Sequence, residues 1–317
     1  MGSYLNSKKA CLLYQDETEA TYFVDKTAIL DELIPLIEQR DNTTQKGKSN
    51  KYICITRPRR FGKSVMASMI AAYLGRGRDS ASVFDRLAVS SRKWYRSHLN
   101  RHNVIYISLN SLPANCTSYQ QYITRISERI LRDLKAAYPS YEINETDAIW
   151  DVLNDILESE EENVKFIFIL DEWDFIFHRD FVTDKDKAEY IDFLSNLLKD
   201  QPYVELAYMT GILPIAKYSS GSELNMFYEY TMASEERFSE YFCFTEEEAD
   251  TLFARYQTLT AHQKITFGGL PDASWESVLH MIKPRKSILA KLKNKTIIEY
   301  VMLPPFPIIF STSSSNP

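Results

Sequence analysis

The chain has 317 residues, of which 44% are hydrophobic, enough for one sizeable α/β domain plus a small appendage. Its formal net charge of −6 disfavours a protein whose whole surface binds nucleic acid. No apolar run approaches the roughly 18 residues of a membrane span, and the first residues lack the apolar core and cleavage site of a secretory signal. We therefore expect a cytoplasmic protein that contacts no membrane.

Cysteine and histidine spacing indicates neither a disulfide framework nor a zinc site. The cysteines are scattered without a CxxC pair, which is typical of free thiols in a reducing compartment: Cys11, Cys54, Cys116 and Cys243. His98 and His102 are four residues apart, as helical metal ligands are, but Leu99 stands where a metalloprotease motif has glutamate. We expect this histidine pair to be structural or exposed.

In chain order, an entry segment ends in a polar loop at 42–50, and an alternation of apolar runs with amphipathic helical stretches follows from about residue 50 to 210. This alternation predicts a mostly parallel sheet flanked by helices. The predicted strands are 52–56, 104–108, 166–170 and 204–209. Most of them are continuous apolar strings, as expected for strands covered on both faces. Apolar residues recur at helical spacing within 65–74, 119–134 and 190–198.

Beyond the sheet the pattern weakens. A polar loop covers 217–225, and Thr245 with Glu248 forms a capping box that opens another helix. The end of the chain is rich in proline and serine. We divide the chain into an entry segment, a core, a helical lid-like segment and a degenerate or truncated tail: 1–50, 51–232, 233–260 and 261–317.

A phosphate-binding loop is predicted between the first strand and the helix after it. Gly62 lets the backbone approach a phosphate, Lys63 supplies a charge for the β and γ oxygens, and Ser64 offers a hydroxyl to Mg²⁺. The strict pattern has glycine where this chain has Arg57, so a basic loop that merely caps a helix stays an alternative. The candidate nucleotide-binding residues are Arg59, Arg60, Phe61, Gly62, Lys63, Ser64 and Val65.

An apolar strand that ends in two acids is the expected partner of this loop. Asp171 would hold the Mg²⁺ together with Ser64, and Glu172 would orient and activate the attacking water. An acidic turn after a strand is common alone, but much less so downstream of a strand–loop–helix unit of this kind. We expect Trp173 to be a packing residue and assign Asp174 no role.

The order of the motifs indicates a subclass. One strand lies in sequence between the two motifs, and the acidic pair is Asp-Glu, which together favour the additional-strand class of P-loop ATPases with a catalytic glutamate. Thr210, at the end of the next strand, falls where such enzymes place a polar sensor for the γ-phosphate. A threonine that simply ends a strand before a glycine turn is an equal alternative.

Five segments, in this order and spacing, resemble the AAA-ATPase-like family over about residues 20 to 257: 22–26, 56–64, 170–174, 210–217 and 239–248. That family usually carries the string RPRRFGKS, so Arg57 is its normal residue. The resemblance implies a P-loop ATPase domain of the additional-strand class, with a C-terminal nuclease-like domain of the PD-(D/E)XK type in many members.

When the family's residue roles are carried over by position, the resemblance implies that Lys63 and Ser64 bind phosphate and Mg²⁺. It likewise implies that Asp171 binds the metal and that Glu172 activates the water. It also implies that the entry motif, with its Asp-Lys pair at 25–26, shapes the nucleotide pocket. Cys243 departs from a glycine usual in the family, and the chain stops before a nuclease domain could fit. Our hypothesis from the sequence is a truncated or decayed member.

Three functions follow from these observations. The first is a Mg²⁺-dependent ATPase that uses ATP and Mg²⁺. The second is an ATP-binding module without significant hydrolysis, which is lost because the lid and C-terminal parts are incomplete. Hydrolysis in the additional-strand class often needs an arginine from a lid or a neighbouring subunit, and the candidates here are Arg237 and Arg255. The third is a nucleic-acid-associated protein that uses Arg57, Arg59 and Arg60 of the basic loop. DNA and a protein both stay open as partners, as does the oligomeric state.

Overall fold

The structure is a computed structural model that describes residues 2–20, 23–38, 51–144, 146–159, 164–219, 221–232 and 237–258. Its strands are β1 (Tyr52–Thr56), β2 (Asn103–Ser108), β3 (Phe166–Asp171), β4 (Val204–Gly211) and β5 (Tyr228–Tyr230). Its α-helices are α1 (Lys8–Thr18), α2 (Leu30–Glu38), α3 (Lys63–Leu74), α4 (Ala81–Phe84), α5 (Tyr95–His98), α6 (Tyr119–Ala137), α7 (Ile149–Ser159), α8 (Asp184–Leu198) and α9 (Glu246–Gln257). Short 3₁₀ turns lie between several of them.

The strands form one sheet in the order β2-β3-β4-β1-β5, and all of its strand pairs are parallel. Strand β4 therefore lies between β1, which leads into the phosphate loop, and β3, which ends in the acidic pair. Thr56 aligns with Gly211 and Ser108 with Asp171, so the carboxyl ends of the strands meet at one edge of the sheet. The predicted α/β fold is confirmed. In the sheet, β4 separates the strands of the two motifs, whereas β2, which lies between the motifs in sequence, is at the edge.

Side chains alternate across the sheet and build a core on each face. In β3, Phe166 and Phe168 join the core beneath α6, α7 and α8, whereas Ile167 and Ile169 join the core beneath α1, α2 and α3. Every residue of β3 is buried, as the apolar sequence of its first five residues predicts. This double-sided packing holds the strand ends in fixed register, and the candidate site is built on those ends.

The structure confirms all four predicted strands, within two residues at each end, and the three predicted helical stretches. The Thr245–Glu248 capping box is also confirmed by reciprocal hydrogen bonds of 2.7 and 3.3 Å. Strand β5 was missed because only three residues pair with β1 and their sequence, YEY, lacks an apolar run. The predicted loop at 42–50 and the tail from 261 onward lie outside the described residues.

The predicted structural role of the histidine pair is confirmed. The Nδ1 atom of His98 lies 3.0 Å from Nε2 of His102, and the outer ring nitrogens contact Glu38 and Glu205 at 3.0 and 3.2 Å. This chain of polar groups connects the end of α2 to the start of β4. In the described part of the chain, none of the helices has the length and apolarity that a membrane crossing requires.

Candidate functional site

The phosphate loop runs from the end of β1 to the first residue of α3. Gly62 adopts φ +78°, in the left-handed region, and a Cβ built on it would meet no heavy atom within 4 Å. Gly62 is the N-cap of α3 and offers no side chain to cap the helix, and the first turn of α3 holds no acidic residue. The backbone N–H groups at the start of α3 therefore have no side-chain cap, and uncapped N–H groups at a helix start are the arrangement that receives a phosphate.

Lys63 connects the loop to the acidic turn electrostatically. Its side chain is buried, and its Nζ donates to the Pro58 carbonyl at 2.9 Å. Burial lowers the pKa of Lys63, while the nearby charges of Asp171 and Glu172 act in the opposite direction. Ser64 is exposed, and its hydroxyl makes no hydrogen bond to a residue that the structure describes. The fold thus brings the two motifs together.

The acidic turn at the end of β3 is held by Thr210 of β4. The Thr210 hydroxyl donates to Oδ1 of Asp171 at 2.6 Å and accepts the Glu172 backbone N–H at 3.2 Å. Thr210 and Asp171 are both buried, and Glu172 takes a positive φ of 57°. The observed contacts of Thr210 are therefore with the acidic turn itself.

Asn110, just beyond β2, is a site residue that the sequence reasoning missed. Its Nδ2 donates to Oε2 of Glu172 at 3.0 Å, and its own Oδ1 accepts the Ser108 hydroxyl at 2.9 Å. The neighbouring position of β2 and β3 in the sheet brings Asn110 to Glu172. A polar residue two positions past a predicted strand was the available signal, but strand order was needed to place it.

Asp174, which the sequence left without a role, fastens the acidic turn to the turn after β4. Its buried carboxylate accepts the N–H groups of Ile212 and Leu213, both at 3.0 Å through Oδ2. Trp173 is fully buried, so its predicted packing role is confirmed, and its ring lies against Gly211. These contacts fix the relative position of the ends of β3 and β4.

Arg57 is a packing residue and not an accessible cation. It is 3% exposed, and its Nη1 donates to the carbonyls of Thr56 and Tyr230 at 2.9 and 2.6 Å. Its guanidinium also lies 5.5 Å from the Phe242 ring centre. Burial lowers the pKa of Arg57. Of the three arginines in the predicted basic loop, only Arg59 and Arg60 are exposed, so the use of Arg57 in nucleic-acid contact is wrong.

A cleft of about 220 Å³ opens beside Gly62. Its walls are mainly apolar side chains from the entry segment, from α3 and from the segment before α9, with these rings among them: Tyr14, Phe23, Phe61, Tyr241 and Phe244.

Lys26 lies in the wall of the cleft and joins the entry segment to the lid-like segment. Its Nζ contacts the Glu248 carboxylate at 2.6 Å and donates to the Glu240 carbonyl at 2.5 Å. Its neighbour Asp25 instead accepts backbone N–H groups from Thr27 and Ala88, at 2.9 and 2.7 Å. Lys26 thus faces the cleft, whereas Asp25 fixes the backbone behind it.

Arg237, one of the two arginines considered for a stimulating role, is held within the chain. Its Nε lies 2.7 Å from a Glu32 carboxylate oxygen, and its guanidinium lies over Phe238. Arg255 lies in α9.

Comparison with known sequences agrees with this geometry. A family model described as "Predicted AAA-ATPase" matches residues 15–220, which is more than half of the chain and includes the phosphate loop, the acidic turn and Thr210. A search of curated proteins found no significant match. On the family model and the fold, the chain belongs to the AAA-ATPase-like family.

Proposed function

We propose that this protein binds ATP with Mg²⁺ and hydrolyses it to ADP and phosphate. The observation that carries the proposal is the meeting of Lys63 and the uncapped start of α3 with the Asp171–Glu172 turn at one sheet edge. An ATPase activity agrees with the family.

The phosphate chain of the nucleotide would lie across the start of α3. The free backbone N–H groups there would donate to phosphate oxygens, and the positive end of the helix dipole would favour their charge. Lys63 would exchange its present contact with the Pro58 carbonyl for the β and γ oxygens. Because Lys63 is buried, little water competes for that contact.

The oxygen groups of Ser64 and Asp171 fit a Mg²⁺ ion. Mg²⁺ prefers oxygen ligands and usually combines one or two protein groups with phosphates and waters. Ser64 has an exposed hydroxyl without a partner among the described residues. Asp171 is an acid at the end of β3, which is separated from β1 by β4 alone, at the same edge of the sheet. No group of three or more His, Cys, Asp or Glu side chains in the described ranges could hold a metal alone, and this kind of site requires none. When bound, Mg²⁺ would neutralise phosphate charge.

Glu172 would accept a proton from the attacking water. Its positive φ turns the residue away from the strand direction at the sheet edge, and Asn110 holds one of its carboxylate oxygens. The other oxygen, Oε1, has no hydrogen bond in the described part of the structure and could accept from water. Asn110 acts in this scheme as a positioning residue for Glu172.

The aromatic cleft beside Gly62 would receive the base. Its rings offer stacking surface, and its apolar walls suit a flat heterocycle more than a charged group. Both the entry segment and the segment before α9 contribute, and Lys26 ties them together. The pocket therefore depends on segments far apart in sequence.

The experiment is a titration of the full chain with labelled ATP, with and without Mg²⁺, followed by a phosphate-release assay on the same sample. Saturable Mg²⁺-dependent binding with phosphate release supports an ATPase. Absence of binding under both conditions contradicts the proposal.

The second candidate, an ATP-binding module without significant hydrolysis, is favoured by one observation. Arg237 is engaged with Glu32, so it is not free in this structure to act on a γ-phosphate. Binding without phosphate release would identify this second function. Turnover that appears only at high protein concentration would instead indicate that a second copy supplies the arginine.

A further inference from the structure

The edge of the sheet at β2 carries a basic surface that the nucleotide site does not use. We propose that this surface, named here the β2-edge belt, binds the phosphate backbone of nucleic acid. Its seven cations are Lys8, Lys9, Arg76, Arg78, Arg101, Arg129 and Arg132. None of the seven forms an ion pair with any residue in the described ranges.

The first residues of the chain organise the belt. They pair with β2 in antiparallel fashion: Asn6 N–H donates to the Val104 carbonyl at 2.8 Å, and Tyr106 N–H donates to the Tyr4 carbonyl at 3.0 Å. The buried Asp133 carboxylate accepts the Tyr4 N–H at 2.6 Å. Residues 4–6, joined to β2 by this isolated bridge, are called the added strand below. They cover part of the edge of β2 and place the start of α1, with its two lysines, beside that edge.

Contacts on the two sides of the added strand place the arginines. On the α6 side, Arg132 donates to the Ser3 hydroxyl at 2.9 Å, and the Arg129 guanidinium lies 5.9 Å from the Tyr4 ring centre. These two arginines are one turn apart on α6, so they lie on one face of the helix.

On the other side, the turn after α3 packs against the same strand. The space at the Gly77 Cα is filled by the Asn6 carbonyl. Arg76 donates to the Arg101 carbonyl at 3.1 Å, which brings both guanidinium-bearing residues to the start of β2. Arg78 lies near Cys11 of α1. Burial raises the pKa of the Cys11 thiol, and the nearby charge of Arg78 opposes this rise. The belt thus draws on four separate parts of the chain.

The local charge contrasts with the acidic chain as a whole. The belt is formed by residues 2–9, 76–79, 101 and 128–133, and the carboxylates in these stretches are Asp79, Glu128 and Asp133. Asp133 is buried and accepts hydrogen bonds from backbone N–H groups. The chain nevertheless has a formal net charge of −6. Unpaired cations gathered at one edge of an acidic protein are typical of a surface that binds a polyanion.

Nucleic acid fits the belt better than a protein or a membrane. Five of the seven cations are arginines, which bind phosphate oxygens in a bidentate manner. The residues between them include Ser3, Asn6 and Ser7, which are polar, whereas a protein interface would have an apolar centre. Leu12 and Leu13 are exposed one turn beyond the lysines on α1. These two leucines could insert into a membrane, so the test also measures binding to lipid vesicles.

The test compares two charge-reversed variants of the full chain. The belt variant carries Lys8→Glu, Lys9→Glu and Arg101→Glu, whose side chains make no hydrogen bond in the described structure, so the fold should persist. The control variant carries Lys93→Glu, Lys185→Glu and Lys187→Glu, which change the net charge equally but lie elsewhere in the sequence. Circular dichroism and thermal melting establish that both variants are folded.

The probe is a labelled DNA duplex of about 20 base pairs, titrated without nucleotide at several salt concentrations. We expect the belt variant to bind at least tenfold more weakly than the control variant. We also expect the salt dependence of its affinity to weaken. The magnitude of the slope of log affinity against log salt should decrease by about 2.7, since three cations are lost and each phosphate contact contributes about 0.9. Lys63→Ala should leave duplex binding unchanged, because the nucleotide site is separate.

Any of three results with the duplex would overturn the inference: no binding by the wild type even at low salt, equal affinities of the belt and control variants, or loss of binding in Arg59→Ala/Arg60→Ala alone. Vesicles of anionic phospholipid provide the last comparison. Wild-type binding to these vesicles without binding to the duplex would show that the belt is a membrane surface and would also overturn the inference.

Discussion

Replacement of Asp174 by alanine should loosen the carboxyl edge of the sheet. The Asp174 carboxylate is 1% exposed and accepts two backbone N–H groups, from Ile212 and Leu213, at 3.0 Å each. A buried donor that loses its acceptor costs about 1–3 kcal/mol. Ile212 and Leu213 are half-buried, so water can replace part of the loss. We therefore expect Asp174→Ala to lower the free energy of unfolding by about 2–3 kcal/mol.

Asp174→Asn separates the shape of this side chain from its charge. The amide oxygen can still accept both N–H groups, but without the strength of an ionised acceptor. We expect a smaller loss of about 1 kcal/mol, since only the charge assistance disappears. Asp192→Ala is the control, because Asp192 is an exposed residue of α8. It should change the free energy of unfolding by less than about 0.5 kcal/mol.

The assay is equilibrium unfolding in urea, followed by far-ultraviolet circular dichroism. A shift of the midpoint with an unchanged slope reports a change in stability. If Asp174→Ala unfolds at the same urea concentration as Asp192→Ala, Asp174 does not fasten the two turns, and the reasoning is refuted.

Three further substitutions test other contacts. Gly211→Ala places a Cβ 2.6 Å from Cδ1 of the fully buried Trp173. Thermal melting should therefore show a stability lower by about 1–3 kcal/mol, and unchanged melting would contradict the close packing. Arg57→Ala should lower the free energy of unfolding by about 2–3 kcal/mol, because two carbonyls lose a buried donor. The control Arg59→Ala, at an exposed residue, should change it by less than about 0.5 kcal/mol. Equal effects of the two substitutions would refute the packing role of Arg57. Asn110→Ala should reduce ATP turnover about tenfold, as expected for a residue that orients a functional group, with the Kd for ATP within twofold; an equal loss in both would make Asn110 a binding residue.

Much of the fold was predictable because its strands are buried on both faces. In a strand such as β3, solvent is excluded on each side, so the sequence is continuously apolar and is recognisable without its neighbours. Strand β5 is the opposite case, since it is short, lies at the sheet edge and contains Glu229, which accepts the Thr56 hydroxyl at 2.8 Å. Its pairing depends on Arg57 and β1, which are far away in sequence.

The candidate site was predictable where a role depends on local sequence and not where it depends on strand order. Gly62, Lys63 and Ser64 follow one another at a strand–helix junction, so their arrangement is encoded locally. Asn110 and Asp174 act through β2 and β4, and their partners become neighbours only when the sheet assembles. The aromatic cleft likewise unites segments from both ends of the described chain.

The most direct test of the account is ATP binding and phosphate release by wild type, Lys63→Ala and Glu172→Gln, measured on the same purified samples with Mg²⁺. Lys63→Ala should lose ATP binding, because the buried cation beside the acidic turn is removed. Glu172→Gln should bind ATP within about threefold of wild type but lose at least about 99% of turnover, as expected when a general base is removed. Normal ATP binding and hydrolysis by both variants would contradict the assignment of this sheet edge as the nucleotide site.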